Sequence, residues 1–289
     1  MNLMPLLYGI IFGIIAFIGY GVSDFMGPLT SRKMGAIQTN LMLRAITSLF
    51  MLVIFLVLLI QIPEISLSTF LLLLVTGVFS VIGPITYYKS AKLGNISINS
   101  AVANSWSIVT VILILIFLRV PLTLIEAISI AVIILGTLLL SIKLEDIRKM
   151  KFTNLSEGTP YAFVAMLAWG IAYFLMILLI GKLGWFQAAL LVSFLMVGYY
   201  IAVFGASKIK YVKPRPFLLT LLINAIFLTL AVLAYNVGVL SNPIIVPPIA
   251  AASPVITVLL AVTRLKEKLE INHIAGIAMV VIGLIALSI

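Results

Sequence analysis

Ten times along this chain, about twenty apolar residues follow one another with few charges, the length that crosses the hydrocarbon core of a bilayer. The stretches are Leu6–Met26, Leu41–Ile60, Thr69–Tyr88, Ile96–Phe117, Leu122–Ile142, Tyr161–Ile180, Gln187–Gly205, Phe217–Gly238, Pro243–Thr263 and Ile271–Ile289. Only helices and closed barrels satisfy their own backbone in lipid, and stretches of this length read as helices. Composition agrees. The chain is 64% hydrophobic and 9% charged, against roughly half and a quarter in soluble domains. The expected fold is therefore an all-α integral membrane protein of ten transmembrane helices, a multi-pass protein of the cell membrane. Leu6–Met26 lacks a basic leader and a small-residue cleavage site, and reads as a retained span. The bilayer is its first partner.

The one sizeable hydrophilic connection, "KLEDIRKMKFTNLSEGT" at 143–159, falls at the midpoint. That position prompts a search for a repeat. A shift of 147 residues lays Tyr88 on Tyr235, Asn95 on Asn242, Thr110 on Thr257, Gly136 on Gly283 and Ser141 on Ser288 without a gap. The chain thus divides into a first five-helix repeat at 1–142, a central loop at 143–159 and a second five-helix repeat at 160–289. Five is odd, so the second repeat enters the membrane from the opposite face. The repeats form an inverted-topology pair, a class that binds its substrate near the midplane between the halves.

Orientation follows from Lys and Arg. The loops after odd-numbered spans hold Arg32, Lys33, Lys89, Lys92, Lys143, Arg148, Lys149, Lys151, Lys208, Lys210, Lys213, Arg215, Arg264, Lys266 and Lys268; the opposite loops hold Arg119 and Lys182. By this rule the odd loops are cytoplasmic and both termini lie outside.

Polar chemistry within the spans concentrates in the fourth and ninth. Ser97, Ser100, Asn104 and Ser107 share one helical face of span 4. Buried polar groups need partners, which makes this stripe either glue between helices or the wall of a wet cavity. Span 9, its repeat partner, carries Pro243, Pro247, Pro248 and Pro254. Pro247, Pro248 and Pro254 predict a broken helix whose freed carbonyls face the stripe across a central cavity.

Aromatic residues extend the candidate site. Trp169 and Tyr173 lie four apart on span 6, Tyr20 is on span 1, Tyr87 shares a face with Ser80 and Pro84 on span 3, and Tyr235 lies on span 8. The substrate-binding set is Tyr20, Tyr87, Ser100, Asn104, Trp169, Tyr235, Pro247 and Pro248. Asp24 and Arg44 stand near the same membrane face and form an expected ion pair, structural or proton-coupling.

Catalytic chemistry finds little support. There is no cysteine and one histidine, His273, which leaves little for a metal site. No phosphate-binding Gly-rich loop and no HExxH motif occur. No catalytic residue, cofactor, metal or nucleic-acid partner is expected.

The residues also carry a resemblance. "LAWGIAYF" (Leu167–Phe174), "RLKEKLEINHIAGIAMVVIGLIALS" (Arg264–Ser288), "YGVSDF" and "SRKMG" resemble the EamA family of the drug/metabolite transporter superfamily, over nearly the whole chain. Departures are Phe17-Ile18 where Trp-Gly is the pattern, and Val120 at the counterpart of Glu267. The resemblance implies secondary transport of a small polar metabolite, often export of amino acids or related solutes; the expected mechanism is alternating access around the central cavity, with a coupling proton or counter-substrate, in a monomer or homodimer. The resemblance also implies cytoplasmic termini, against the charge rule. A membrane-embedded enzyme or a non-catalytic membrane subunit are the alternatives.

Overall fold

The computed structural model describes residues 3–93, 96–141, 157–207, 209–266 and 269–287. Among them there is no strand. The helices are α1 (Leu3–Met34), α2 (Ala36–Val57), α3 (Leu67–Leu93), α4 (Ile96–Asn104), α5 (Trp106–Leu113), α6 (Leu124–Ser141), α7 (Thr159–Leu183), α8 (Trp185–Ala206), α9 (Leu218–Ser241), α10 (Val246–Ala251), α11 (Pro254–Leu265) and α12 (Ile271–Leu287). A π turn, Ile114–Leu118, extends α5. Spans 4 and 9 are each two helices, α4–α5 and α10–α11, so twelve helices make ten crossings. Nine crossings are of full membrane length, and α12, at 17 residues, is the shortest. Most of the expected central loop, 142–156, lies outside the described residues, as does Glu267.

The two halves pack as partners about a pseudo-two-fold axis. The contact of α1 with α9 has its counterpart in α7 with α3; α1 against α10 and α11 mirrors α7 against α4 and α5; α2 against α9 mirrors α8 against α3. Two contacts map onto themselves, α2 with α8 and α6 with α12. Single residues obey the same operation. Gly35 and Gly184 make the one-residue turns after α1 and α7, with φ of 80° and 93°, a region that favours glycine. Arg119 and Lys266, 147 apart, are left-handed at the ends of spans 4 and 9. Thr110 Oγ1 donates to the Gly170 carbonyl at 3.0 Å, and Thr257 Oγ1 donates to the Gly21 carbonyl at 3.0 Å.

At the α6–α12 crossing, backbone meets backbone. A Cβ on Gly136 would stand 2.8 Å from the Gly276 carbonyl oxygen, and one on Gly276 would stand 2.7 Å from that of Gly136. The repeat operation carries this contact to Gly283 and Ser129, where a Cβ on Gly283 would stand 3.0 Å from the Ser129 oxygen.

The proline-broken span takes a different form from the one expected. Pro247 and Pro248 occupy the first turn of α10, and Pro254 opens α11. In a first turn the missing N–H has no intrahelical acceptor to lose. The break itself lies at Ala252–Ser253. Its carbonyls are taken up by tighter bonds: Ser253 N–H donates to Ala250 O and Val255 N–H to Ala252 O. Freed acceptors at depth are therefore not what the prolines produce. Span 4 breaks at the equivalent place with no proline. Ser105 separates α4 from α5, its N–H donates to Val102 O, and its hydroxyl donates to Ala101 O at 2.9 Å.

Candidate functional site

A cavity of about 370 Å³ runs between the repeats. Each repeat contributes to its wall. α1 and α2 bring Tyr20, Asp24, Pro28, Asn40 and Arg44; α3 to α5 bring Tyr87, Tyr88, Ser100, Asn104 and Trp106. From the second repeat come Trp169 and Tyr173 on α7, Leu228 on α9, and Ala250, Ser253, Pro254 and Thr257 along the broken span. Pro28, Asn40, Tyr88 and Ser141 stand near those helix ends that meet the basic odd loops, so the cavity reaches that face. Toward the other face it stops. Ile244, Ile245, Val246 and Ile249 are fully buried there, and α10 packs on the first half of α1, with Val246 against Gly9 and Ile249 against Gly13.

A second cavity, of about 80 Å³, lies between α2, α3, α7, α8 and α9, with Ser80, Ser193, Met196 and Asn236 in its wall. Tyr20, Arg44, Trp169 and Tyr173 border both spaces. Ser193 and Asn236 lie on the far side of this quartet, toward the even-loop ends of their helices.

The polar stripe of span 4 is divided by the break. Ser100 and Asn104 line the cavity, with Asn104 Nδ2 donating to Ser100 Oγ at 3.3 Å and the Ser100 and Tyr87 hydroxyls paired at 3.1 Å. Ser107, beyond the break, is buried and off the wall. The Ser97 side chain lies outside the described part. Asn99 is structural: Nδ2 donates to Ser90 O at 2.9 Å, and Oδ1 accepts from Thr159 Oγ1 at 3.2 Å.

Aromatic rings stack through the centre. Trp106 and Tyr173 lie face to face at 4.1 Å, Tyr173 and Tyr235 are 4.8 Å apart, and Tyr87 and Trp169 are 5.5 Å apart. Tyr235 stands behind Tyr173, fully buried and off the cavity wall, with its hydroxyl unpartnered. Pro247 and Pro248 are also buried and off the wall.

The expected Asp24–Arg44 ion pair is absent. Asp24 Oδ2 instead accepts from Ser253 Oγ at 3.0 Å. The two charges sit on neighbouring helices, but Asp24 bonds Ser253 at the start of α11 while Arg44 borders both cavities with Tyr20, Trp169 and Tyr173. Arg44 Nε is buried without a partner, and among the described residues no carboxylate forms an ion pair with the guanidinium within 4.0 Å. Glu126 and His273 are caps at equivalent repeat positions: Thr123 N–H donates to Glu126 Oε2 at 2.8 Å, and Glu270 N–H to His273 Nδ1 at 3.3 Å.

Tyr173, Ser253 and Asn40 belong to the wall without having been selected. Tyr173 was visible four residues after Trp169. Ser253 carried a weaker signal, as the hydroxyl residue directly before Pro254. Asn40 had no pattern to mark it.

Comparison with known proteins follows this geometry. The model of the EamA-like transporter family matches residues 7–142 and again 157–289. A solved structure described only as "Crystal structure of protein" is similar over 96% of both chains, with a TM-score of 0.73 at 13% identity, a likeness of fold. No curated protein matches. Two copies of one family unit, covering nearly all of the sequence and folded as symmetric five-span halves, make this chain a member of the EamA-like transporter family, membrane transporters of the drug/metabolite type.

Proposed function

We propose that the protein is a secondary transporter that exports a small polar, amino-acid-like metabolite by alternating access. The observation that carries this is the large cavity, built from both repeats, reaching one face and stopped by α10 at the other. By the positive-inside rule the accessible face is cytoplasmic and both termini are outside, so this is the loading state of an exporter. The binding set is Tyr20, Tyr87, Ser100, Asn104 and Trp169, with Tyr173 added from the cavity wall. The halves 1–142 and 160–289 rock about this site, joined by the central loop. Asp24, tied to the break in span 9, is the coupling group for a proton or counter-substrate. The path lies within one chain, whether the protein is a monomer or a homodimer.

Flux of amino acids, sugars, nucleosides and organic cations into proteoliposomes of purified protein tests the reading. Solute movement with no chemical conversion is expected. Conversion without movement would make it an enzyme, and neither would make it a partner subunit. A reporter fused at the C-terminus tests the orientation separately; cytoplasmic activity would reverse the direction assigned here.

A further inference from the structure

We infer that Arg44 is the anchor for a substrate carboxylate, and that the substrate is a zwitterion spanning Arg44 and Asp24. The inference rests on the transport reading above and narrows it to one substrate class.

Arg44 lies eight residues into α2, about 12 Å along the helix at 1.5 Å per residue. A guanidinium at that depth is costly unless something neutralises or hydrates it. Among the described residues nothing pairs with it. Its Nε is buried and unpartnered. Among the described residues Asp24 is the one acid in the wall of the large cavity and Arg44 the one base, yet Asp24 is engaged by Ser253. Two opposite charges share one cavity without neutralising each other. A solute that carries both charges complements them; a neutral solute leaves both unmet.

The chemistry of the anion follows from the donor. A guanidinium presents its N–H groups as a planar fork matched to a carboxylate. A phosphate dianion would call for a second cation, and the described residues of the wall include none. The ammonium of the zwitterion then faces Asp24. The body of the solute lies against Tyr20, Trp169 and Tyr173, whose rings fit an apolar side chain.

Position gives the arginine a further role. Arg44 borders both the large cavity and the small one beyond it. A carboxylate held there stands at the partition between a space open to one face and a space leading toward the other. Neutralising the cation is then coupled to crossing that partition. The repeat operation, which sets Gly35 on Gly184, places Ser193 opposite Arg44, and it places Ala234 opposite Tyr87, so the scaffold is symmetric while the charge is on one side only.

The test uses purified full-length protein in detergent, as wild type, Arg44→Gln and Arg44→Lys. Thermal unfolding is measured with each of the twenty proteinogenic amino acids, and with the decarboxylated amine of each one that stabilises. Stabilisation should require the carboxylate. Arg44→Gln should weaken it about tenfold to a hundredfold, the worth of a charged hydrogen-bonded pair. Arg44→Lys should fall between, keeping charge without the fork. Without ligand, Arg44→Gln should unfold at the same or a higher temperature, because an unpaired cation has been removed.

An amine that stabilises as well as its parent would overturn the assignment. So would unchanged binding in Arg44→Gln, or failure of that variant to fold. Proteoliposomes separate this from the broader reading. Wild-type flux of a sugar, nucleoside or organic cation, undiminished in Arg44→Gln, overturns the carboxylate anchor and leaves transport standing. No flux of any solute from either panel overturns both.

Discussion

Ser253 Oγ donates a hydrogen bond to Asp24 Oδ2 across 3.0 Å, joining the break in span 9 of the second repeat to the first helix of the first repeat. The two residues stand 229 apart in sequence. The same position in the other half holds Trp106, 147 before Ser253, and there the contact is the stack on Tyr173. One scaffold thus carries a polar clasp on one side and an aromatic clasp on the other.

A double-mutant cycle of Asp24→Asn and Ser253→Ala should give a coupling energy of about 0.5–3 kcal/mol, the range for residues in direct contact. Asp24→Asn with Arg44→Gln should give less, since no ion pair joins them. Unfolding in detergent measures both cycles. In proteoliposomes Asp24→Asn should lose flux driven by a pH gradient and should also raise the solute concentration needed for exchange, since the carboxylate facing the solute's ammonium is gone.

Pro247→Ala with Pro248→Ala should leave span 9 broken and transport intact. Both prolines sit in the first turn of α10, away from the cavity, and span 4 breaks at the matching place with no proline. The cost should be about 0.4–1 kcal/mol for each, arising from a freer unfolded chain. Loss of flux with retained folding would show that the prolines act on the cycle after all.

Gly170→Ala should be among the most destabilising single methyls in the bundle's centre. Its Cβ would come within 2.4 Å of Val109 Cβ and 2.9 Å of the Trp106 carbonyl oxygen, positions that move only with the backbone. About 1–3 kcal/mol is expected for such overpacking. Gly21→Ala meets Ile256 Cβ at 2.4 Å and should behave alike. Thr110→Val and Thr257→Val keep the shape and lose one hydrogen bond each, at about 1 kcal/mol. Thermal unfolding ranks all four.

The aromatic stack divides into wall and support. Asn104→Ala should weaken substrate binding about fivefold, the loss of one net hydrogen bond of about 1 kcal/mol. Tyr173→Ala should weaken it at least as much, because that ring faces the cavity. Tyr235→Phe should leave affinity unchanged and raise stability by about 1 kcal/mol, since it removes a buried hydroxyl with no partner. Ligand titration followed by unfolding gives both readouts from one sample.

The spans and the repeat were legible because hydrophobic length and identity at a fixed shift are properties of the chain alone. Asn104, Ser100, Tyr20 and Trp169 were legible as wall residues because polar and aromatic groups at depth need a setting. Three features were not. The break at Ser105 depends on a hydroxyl bonding back to Ala101 O, which local sequence shares with many unbroken helices. The position of Pro247 and Pro248 turned on where α10 begins, and a shift of one turn changes a breaker into a starter. The Asp24–Arg44 pairing failed because proximity along two adjoining helices says nothing about rotation, and rotation is set by Ser253 from the other half of the chain.

At the crossing of α6 and α12, Gly136 and Gly276 bring carbonyl oxygens where side chains would stand. The pairing of α6 with α12 maps onto itself under the repeat operation, Gly136–Gly276 exchanging with Gly283–Ser129, so it is the same pairing before and after the halves exchange shapes. Like α2 with α8, whose contact also maps onto itself, this pair of helices is then a stator: the other helices turn about it, and the glycine seam has nowhere to go. The chain has no cysteine of its own, so one introduced pair across this seam would be the only thiols present. A bridge there should be carried through every turnover without slowing it, whereas the same bridge between α1 and α9 would stop the machine in whichever pose it was closed.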